Sequence, residues 1–323
     1  MEIRKFFKIL VFIITVLLTG KSHAKKFSYN ENKLGGNFKL IFFCSSKSKA
    51  DKIANDTYLY IDVLNSILSN YSSASEISHL NTKKIYKTPS NELLELLNDA
   101  QLAYNKTNGY FDISIQPLIE FWNKAERINK IPTERNLKKQ ASKIGLNKVL
   151  NVTQNHLTLK GKGKLQLGGI AKGYIIDKVY KYIKDRGVSS FLIEAAGDIR
   201  VFGAPENKKY WKVGISSKNQ SSYTISLKSG QAVATSGNTY RYRVIKGKKF
   251  SHIINPKNGL PVTHNLSASV IADNATTADY LASTFNILTS KTEIQEILNN
   301  HKDTEVLIFN TQGVFFKTEQ FFN

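Results

Sequence analysis

Helices and mostly antiparallel strands gathered around one glycine turn are the architecture this sequence predicts. Three observations predict it. Long helical periodicities fill the first half of the chain, and short alternating strands fill the second. Between them runs Leu165-Gln166-Leu167-Gly168-Gly169-Ile170-Ala171-Lys172-Gly173-Tyr174-Ile175-Ile176-Asp177, which reads as the end of a strand, a glycine turn and the opening of a helix. About 300 residues with two-fifths apolar content suffice for a sizeable core, in one large or two intimate domains.

The glycine turn is the pivot. Ile175, Ile176, Val179, Tyr180 and Ile183 recur at helical spacing after it. Three glycines around Lys172 let backbone N–H groups approach an anion at the positive end of a helix. The spacing is neither G-x-G-x-x-G nor a P-loop, so it matches no familiar phosphate template.

At the start of the chain, Arg4, Lys5 and Lys8 precede an apolar run from Ile9 to Leu18, and Ser22-His23-Ala24 supplies small residues for cleavage. This predicts a secretory signal peptide over residues 1–24 and a mature protein beginning near Lys25; an uncleaved N-terminal anchor is the alternative. Removing the leader takes four basic residues and one acid from the formal charge of +21, leaving +18. Such an excess favours anionic partners: nucleotides, acidic protein surfaces, or phospholipid head groups met by peripheral membrane association. The lysines form no compact basic block interleaved with aromatics, which argues against nucleic acid. Cys44, the single cysteine, excludes an internal disulfide and reads as a buried thiol on a strand. No H-E-x-x-H pattern supports a zinc hydrolase.

In chain order, a strand near 38–45 precedes a helix over 49–70, whose apolar face carries Ile53, Leu59, Ile61, Leu64, Ile67 and Leu68. Ser75-Glu76-Ile77-Ser78-His79-Leu80-Asn81 is polar and reads as a loop. A second helix over 91–105 carries Leu93, Leu94, Leu96, Leu97 and Leu102, and Asn108-Gly109 closes it. Tyr110-Phe111-Asp112 follows, then Pro117-Leu118 and Phe121-Trp122, aromatics fit either for a flat ring's pocket or for a core. Past the pivot come a strand at Phe191–Ile193, a tight corner at Ala195-Ala196-Gly197-Asp198-Ile199, strands at 211–215 and 222–227, and Ala232–Gly237 leading into Tyr240-Arg241-Tyr242. A hairpin around Lys246-Gly247-Lys248 returns to Ser251-His252-Ile253-Ile254-Asn255-Pro256, with a turn at Asn258-Gly259. A strand over 268–273 ends the series, followed by a helix over 275–283. There Asp279 and Ser283 stand four apart on one face, two hard oxygen donors suited to Mg²⁺ or simply a solvated surface pair.

Taken together and in order, these segments resemble the ApbE family, FAD:protein FMN transferases of the bacterial cell envelope. The resemblance spans roughly residues 35–320 and rests on the motifs 75–81, 111–112, 167–173, 195–199, 232–237, 251–256 and 278–283. It implies an α+β fold of mostly antiparallel sheets flanked by helices, a single domain over 25–323 with an FAD cleft between two intimate subdomains. It implies Asp279, Ser283 and a carbonyl near Gly169 as Mg²⁺ ligands. FAD contacts would come from Tyr110, Phe111, Asp112, Gln166, Lys172, His252 and Ile253. His252 is the candidate base for the acceptor hydroxyl and, with Asp279, a catalytic residue. The implied reaction attaches FMN through a phosphoester to a Thr or Ser of an acceptor protein and releases AMP. The implied acceptors are subunits of sodium-pumping NADH:quinone reductase (Nqr), Rnf-type complexes and other envelope flavoproteins, met in the periplasm.

The chain departs from the family pattern in places. Gln166 stands where an acid is common, Ser283 where Thr is common, Ala196 begins a Gly-Gly-Asp corner, and Asn255 replaces Asp. A Met-Gly-Thr element is not evident around Gly35-Gly36-Asn37-Phe38. Two other activities stay open at this point: hydrolysis of FAD to FMN and AMP, and periplasmic FAD binding without turnover.

Overall fold

The structure, a computed structural model, describes residues 25–153, 156–217, 220–237 and 242–322. The leader over 1–24 and the Tyr240-Arg241 pair lie outside the described residues. The chain opens with strands β1 (Lys25–Lys33) and β2 (Gly36–Cys44), then helices α1 (Lys47–Leu68) and α2 (Glu76–Lys83), strand β3 (Ile85–Lys87) and helix α3 (Asn91–Lys106). A 3₁₀ turn (Ile113–Ile115) leads into α4 (Gln116–Arg127), α5 (Glu134–Ala141) and the short α6 (Leu146–Val149), followed by β4 (Leu150–Val152) and β5 (His156–Leu159). The pivot helix α7 (Ala171–Asp185) precedes β6 (Phe191–Ala195), β7 (Asp198–Phe202), β8 (Trp211–Ser217), β9 (Gln220–Leu227) and β10 (Ala232–Gly237). Last come β11 (Tyr242–Ile245), β12 (Lys248–Ser251), β13 (Ser267–Ala272), α8 (Ala275–Phe285), α9 (Lys291–Asn299), β14 (Glu305–Asn310) and β15 (Gly313–Lys317).

The principal sheet has the order β1-β2-β6-β7-β10-β13-β14-β15, and its ladders are antiparallel throughout. Alternation along its strands feeds two apolar layers. On one face, Phe38, Leu40 and Phe42 of β2, Val270 of β13 and Val306 and Ile308 of β14 join α1, α3, α7 and α8 in the main core. On the other, Ile41, Ile271, Leu307 and Phe309 meet the β8–β9 hairpin and Phe321. With both faces covered, these strands read as nearly unbroken apolar runs. A third cluster joins Leu118 and Trp122 of α4, Leu137 of α5, Ile245 of β11 and Ile254. Each fully buried Phe or Leu in these layers contributes roughly 1.5–3 kcal/mol. No described helix is long and apolar enough to cross a membrane.

Cys44 is buried at the end of β2, as expected. Asn108 and Gly109 close α3 with φ of 51° and 73°, and Lys246 and Gly247 turn the β11–β12 hairpin with φ of 49° and 73°. Three expectations are corrected. Residues 76–83 form a helix rather than a loop, because Ser75 caps it by accepting from the Ser78 N–H at 3.2 Å and Ile77 and Leu80 are buried. Leu59 and Leu102 face outward, 66% and 57% exposed, because the buried stripes of α1 and α3 run through other positions. Leu165–Leu167 is not a strand; its backbone groups are taken by side chains, as described next.

Candidate active site

Two asparagines hold the approach to the glycine turn. Asn81 of α2 accepts from the Leu165 N–H at 2.7 Å and donates to the Leu165 carbonyl at 2.8 Å, as a partner strand would. Asn70 donates to the same carbonyl at 2.9 Å and accepts from Leu167 N–H at 2.8 Å. Gln166 is turned to local use: its Oε1 accepts from Gly168 N–H at 3.1 Å and its Nε2 donates to Gln116 at 3.2 Å.

Beyond the turn, α7 and α8 cross with their N-terminal ends together. Gly173 permits the approach, since a Cβ there would overlap the Ala275 carbonyl. The two helices then cap each other. The N-terminus of α7 has no side-chain cap of its own, and Asp279 of α8 supplies one by accepting from the Gly173 N–H at 3.0 Å. In return Asp177 of α7 accepts from the N–H groups of Ala275 and Thr276, each at 2.8 Å, and from the Thr276 hydroxyl at 2.6 Å. Arg200 of β7 donates to Asp177 at 2.6 Å, so four donors meet one carboxylate.

Charge balance at the crossing is equally tight. The Lys172 ammonium pairs with Asp198, which is 1% exposed, and lies 3.6 Å from Asp279 Oδ1. Gly169 brings two further predicted residues in. A Cβ built on it would lie 3.2 Å from the Phe111 ring and 3.6 Å from the Ser283 hydroxyl. Phe111 packs on Tyr280 with ring centroids 5.5 Å apart, and the Tyr280 hydroxyl meets His301 Nε2 at 2.8 Å. Burial lowers the His301 pKa and pushes that of Tyr280 up to about 12. Among the described residues no three His, Cys, Asp or Glu side chains gather as a metal cage, so any cation here would lean on hydroxyl and carbonyl oxygens as well.

The structure therefore brings Phe111, Gly169, Lys172, Asp279 and Ser283 into one constellation. Tyr110 stands beside it. Its hydroxyl donates to Glu293 of α9 at 2.5 Å, the Lys257 ammonium lies 5.3 Å from its ring, and burial first, then Glu293, pushes its pKa up to about 12. Lys257 also donates to the Asn108 carbonyl, tying the loop that carries His252 and Ile253 to the Tyr110 segment. His252 and Ile253 are half-buried at the end of β12, on the side of the third apolar cluster. Asp112 faces inward instead, accepting from the Ser114 N–H at 2.8 Å and hydroxyl at 2.6 Å, and burial raises its pKa. Asp177, Asp198, Arg200, Asn70 and the role of Asn81 escape sequence reasoning. Asp177 lies four residues past Gly173, on the same helix face, which was the available signal.

The ApbE family model matches residues 36–308, and the chain belongs to that family. Among curated relatives, the FAD:protein FMN transferase of Haemophilus influenzae is 25% identical over 293 residues, covering 86% of this chain and 84% of its own. That of Buchnera aphidicola from Baizongia pistaciae is 30% identical over 276 residues, covering 77% and 80%. Among solved structures, the ApbE protein of Thermotoga maritima superposes with a TM-score of 0.81 at 26% identity, covering 93% of this chain and 100% of its own. The apo flavinyl transferase ApbE of Pseudomonas stutzeri shares the fold, with a TM-score of 0.79 at 20% identity, covering 93% and 98%.

Proposed function

We propose that this enzyme transfers FMN from FAD to a threonine or serine hydroxyl of an acceptor protein, releases AMP, and uses Mg²⁺. The observation that carries the reading is the α7–α8 crossing, where a carboxylate, a hydroxyl and a glycine backbone stand together beside a lysine. Relatives named FAD:protein FMN transferase support the same chemistry.

The donor set fits the metal. The Asp279 carboxylate, the Ser283 hydroxyl and the Gly169 carbonyl are hard oxygens, and so few protein ligands leave positions for water and phosphate. The missing side chain at Gly169 keeps the space beside the Ser283 hydroxyl open. Bound there, Mg²⁺ would supply charge neutralisation on the pyrophosphate and Lewis acidity. Lys172 offers a second cation to a phosphate oxygen, and Asp198 anchors it meanwhile. His252 takes the proton of the acceptor hydroxyl, an imidazole being the side chain suited to that at neutral pH. The acceptor oxygen bonds to the FMN phosphorus as the bond from that phosphorus to the bridging oxygen breaks, and AMP leaves with that oxygen. Tyr110, Phe111 and Ile253 supply the apolar contacts for the flavin nucleotide. Gln166 and Asp112 serve it indirectly, by shaping the turn and the Tyr110 segment. The resemblance points to Nqr- or Rnf-type envelope flavoproteins as acceptors, reached by export through the leader.

The test is incubation of residues 25–323 with FAD, Mg²⁺ and such an acceptor, following the acceptor by intact mass and the nucleotides by chromatography. The expected result is an FMN adduct with matching AMP, both lost when a chelator is added. Free FMN and AMP beside an unmodified acceptor would replace transfer by hydrolysis. Intact, bound FAD would replace both by a carrier role.

A further inference from the structure

A cavity of about 780 Å³ opens between α4, α5 and the loop around Gly161. Its size is that of a ligand site rather than a packing defect. Phe121, Ile128 and Ile131 are among its apolar lining residues, and seven lysines line it against a single carboxylate, Glu120. That carboxylate is already engaged, because Lys164 donates to both its oxygens at 2.8 and 3.1 Å. Two of the other ammoniums are held by neutral acceptors, Lys84 donating to the Asn81 and Gly163 carbonyls at 2.8 and 2.7 Å and Lys143 to Gln140. Burial, then Lys164, lowers the pKa of Lys84, and burial, then Lys162 and Lys139, lowers that of Lys143. Here like charges converge on a concavity, at a cost in self-repulsion that an anionic partner removes.

Position identifies the partner. A chain of hydrogen bonds runs from the glycine turn to the cavity rim: Gln166 to Gln116 at 3.2 Å, Gln116 to Glu120 at 3.3 Å, and Lys164 to Glu120. Whatever fills the cavity therefore lies beside the turn that leads to Gly169 and Lys172. Lysines set among apolar side chains match a chain segment that carries acidic residues beside apolar ones, and a flat lipid surface would not fill the concavity. We propose that this cavity docks an acidic, apolar-centred segment of the acceptor protein. The proposal rests on the transferase reading above.

The test uses residues 25–323 and a short fluorescein-labelled peptide with Glu pairs on both sides of a Leu-Phe pair, titrated by anisotropy. Lys139→Glu combined with Lys162→Glu reverses two exposed charges outside the catalytic constellation. Peptide affinity is expected to fall about tenfold in this variant and to weaken with salt, while FAD binding, read by flavin fluorescence, stays unchanged. Equal peptide affinity in both proteins would overturn the cavity assignment. So would phosphatidylglycerol vesicles that sediment wild type but not the variant while the peptide fails to bind, an outcome that would assign the lysines to a membrane. A protein that binds the peptide as expected but neither holds nor cleaves FAD would sink the transferase reading and the acceptor assignment with it. Failure of the wild-type protein to bind the peptide, with its FAD cleavage intact, would sink only the docking site.

Discussion

The α7–α8 crossing and the lysine-lined cavity between α4 and α5 handle charge in opposite ways. At the crossing each carboxylate has its donors: Asp177 meets four, Asp198 meets Lys172, and Asp279 meets the Gly173 N–H. In the cavity seven lysines face one acid that is already paired. Satisfied charges on helices that cap each other make a preorganised site, in which the groups stand ready before substrate arrives. An excess of lysines around a concavity, beyond the one Lys164–Glu120 pair, makes a surface that an anionic partner completes. A formal charge of +21 says neither which lysines do which job nor where they converge.

Breaking the crossing should have the largest effect. Asp279→Ala removes both the proposed metal ligand and the trans cap on α7, and FMN transfer should fall by on the order of a thousandfold, the several kcal/mol that such a metal supplies. Full residual transfer in that variant would remove the metal assignment. Asp177→Asn comes next. It keeps the shape but discards the charge that Arg200 and the α8 N-terminus bind, at a cost of about 3 kcal/mol, read as a lower denaturation midpoint. Because Asp177 holds α8, Mg²⁺ affinity by calorimetry should weaken too, and an unchanged affinity would reduce Asp177 to a stability role. Reversing Lys139 and Lys162 should leave the denaturation midpoint within about 0.5 kcal/mol, since neither supports the fold.

The smallest effect sharpens the contrast through pH. His301 is buried and its pKa is lowered in the fold, so its contribution to stability is present above the ordinary value of 6.5 and lost as pH falls through the folded value. His301→Gln, which can still bond the Tyr280 hydroxyl, should flatten that acid limb of a melting-temperature profile. An unchanged limb would assign it to another group.

Much of this was legible in the chain, and the failures have physical causes. Helices α1, α3 and α7 announced themselves because each buries one stripe, and several strands because they alternate between two apolar layers; α8 is buried nearly all round, and α4, α5, α9, β14 and β15 went unread. Leu165 and Leu167 mimicked a strand because both are buried at alternate positions, but their backbone partners are asparagine side chains from α2 and from the turn that follows α1. The helix over 76–83 hid because it is short, polar and buries only Ile77 and Leu80. Of the site, Asp279, Ser283, Gly169 and Lys172 were legible as a pattern, with the resemblance supplying their roles. The reciprocal caps were not, since Asp177 meets partners 98 and 99 residues away. The cavity was least legible, because its lysines come from separate segments and look, one at a time, like ordinary solvated surface.

The most direct measurement is anomalous diffraction from a crystal of residues 25–323 soaked with FAD and Mn²⁺ in place of Mg²⁺. The expected result is one strong peak bounded by the Asp279 carboxylate, the Ser283 hydroxyl and the Gly169 carbonyl, with the FAD pyrophosphate against it and Lys172 on a phosphate oxygen. A pyrophosphate bound without metal at the crossing, or a metal held elsewhere, would contradict the site on which the proposed transfer depends.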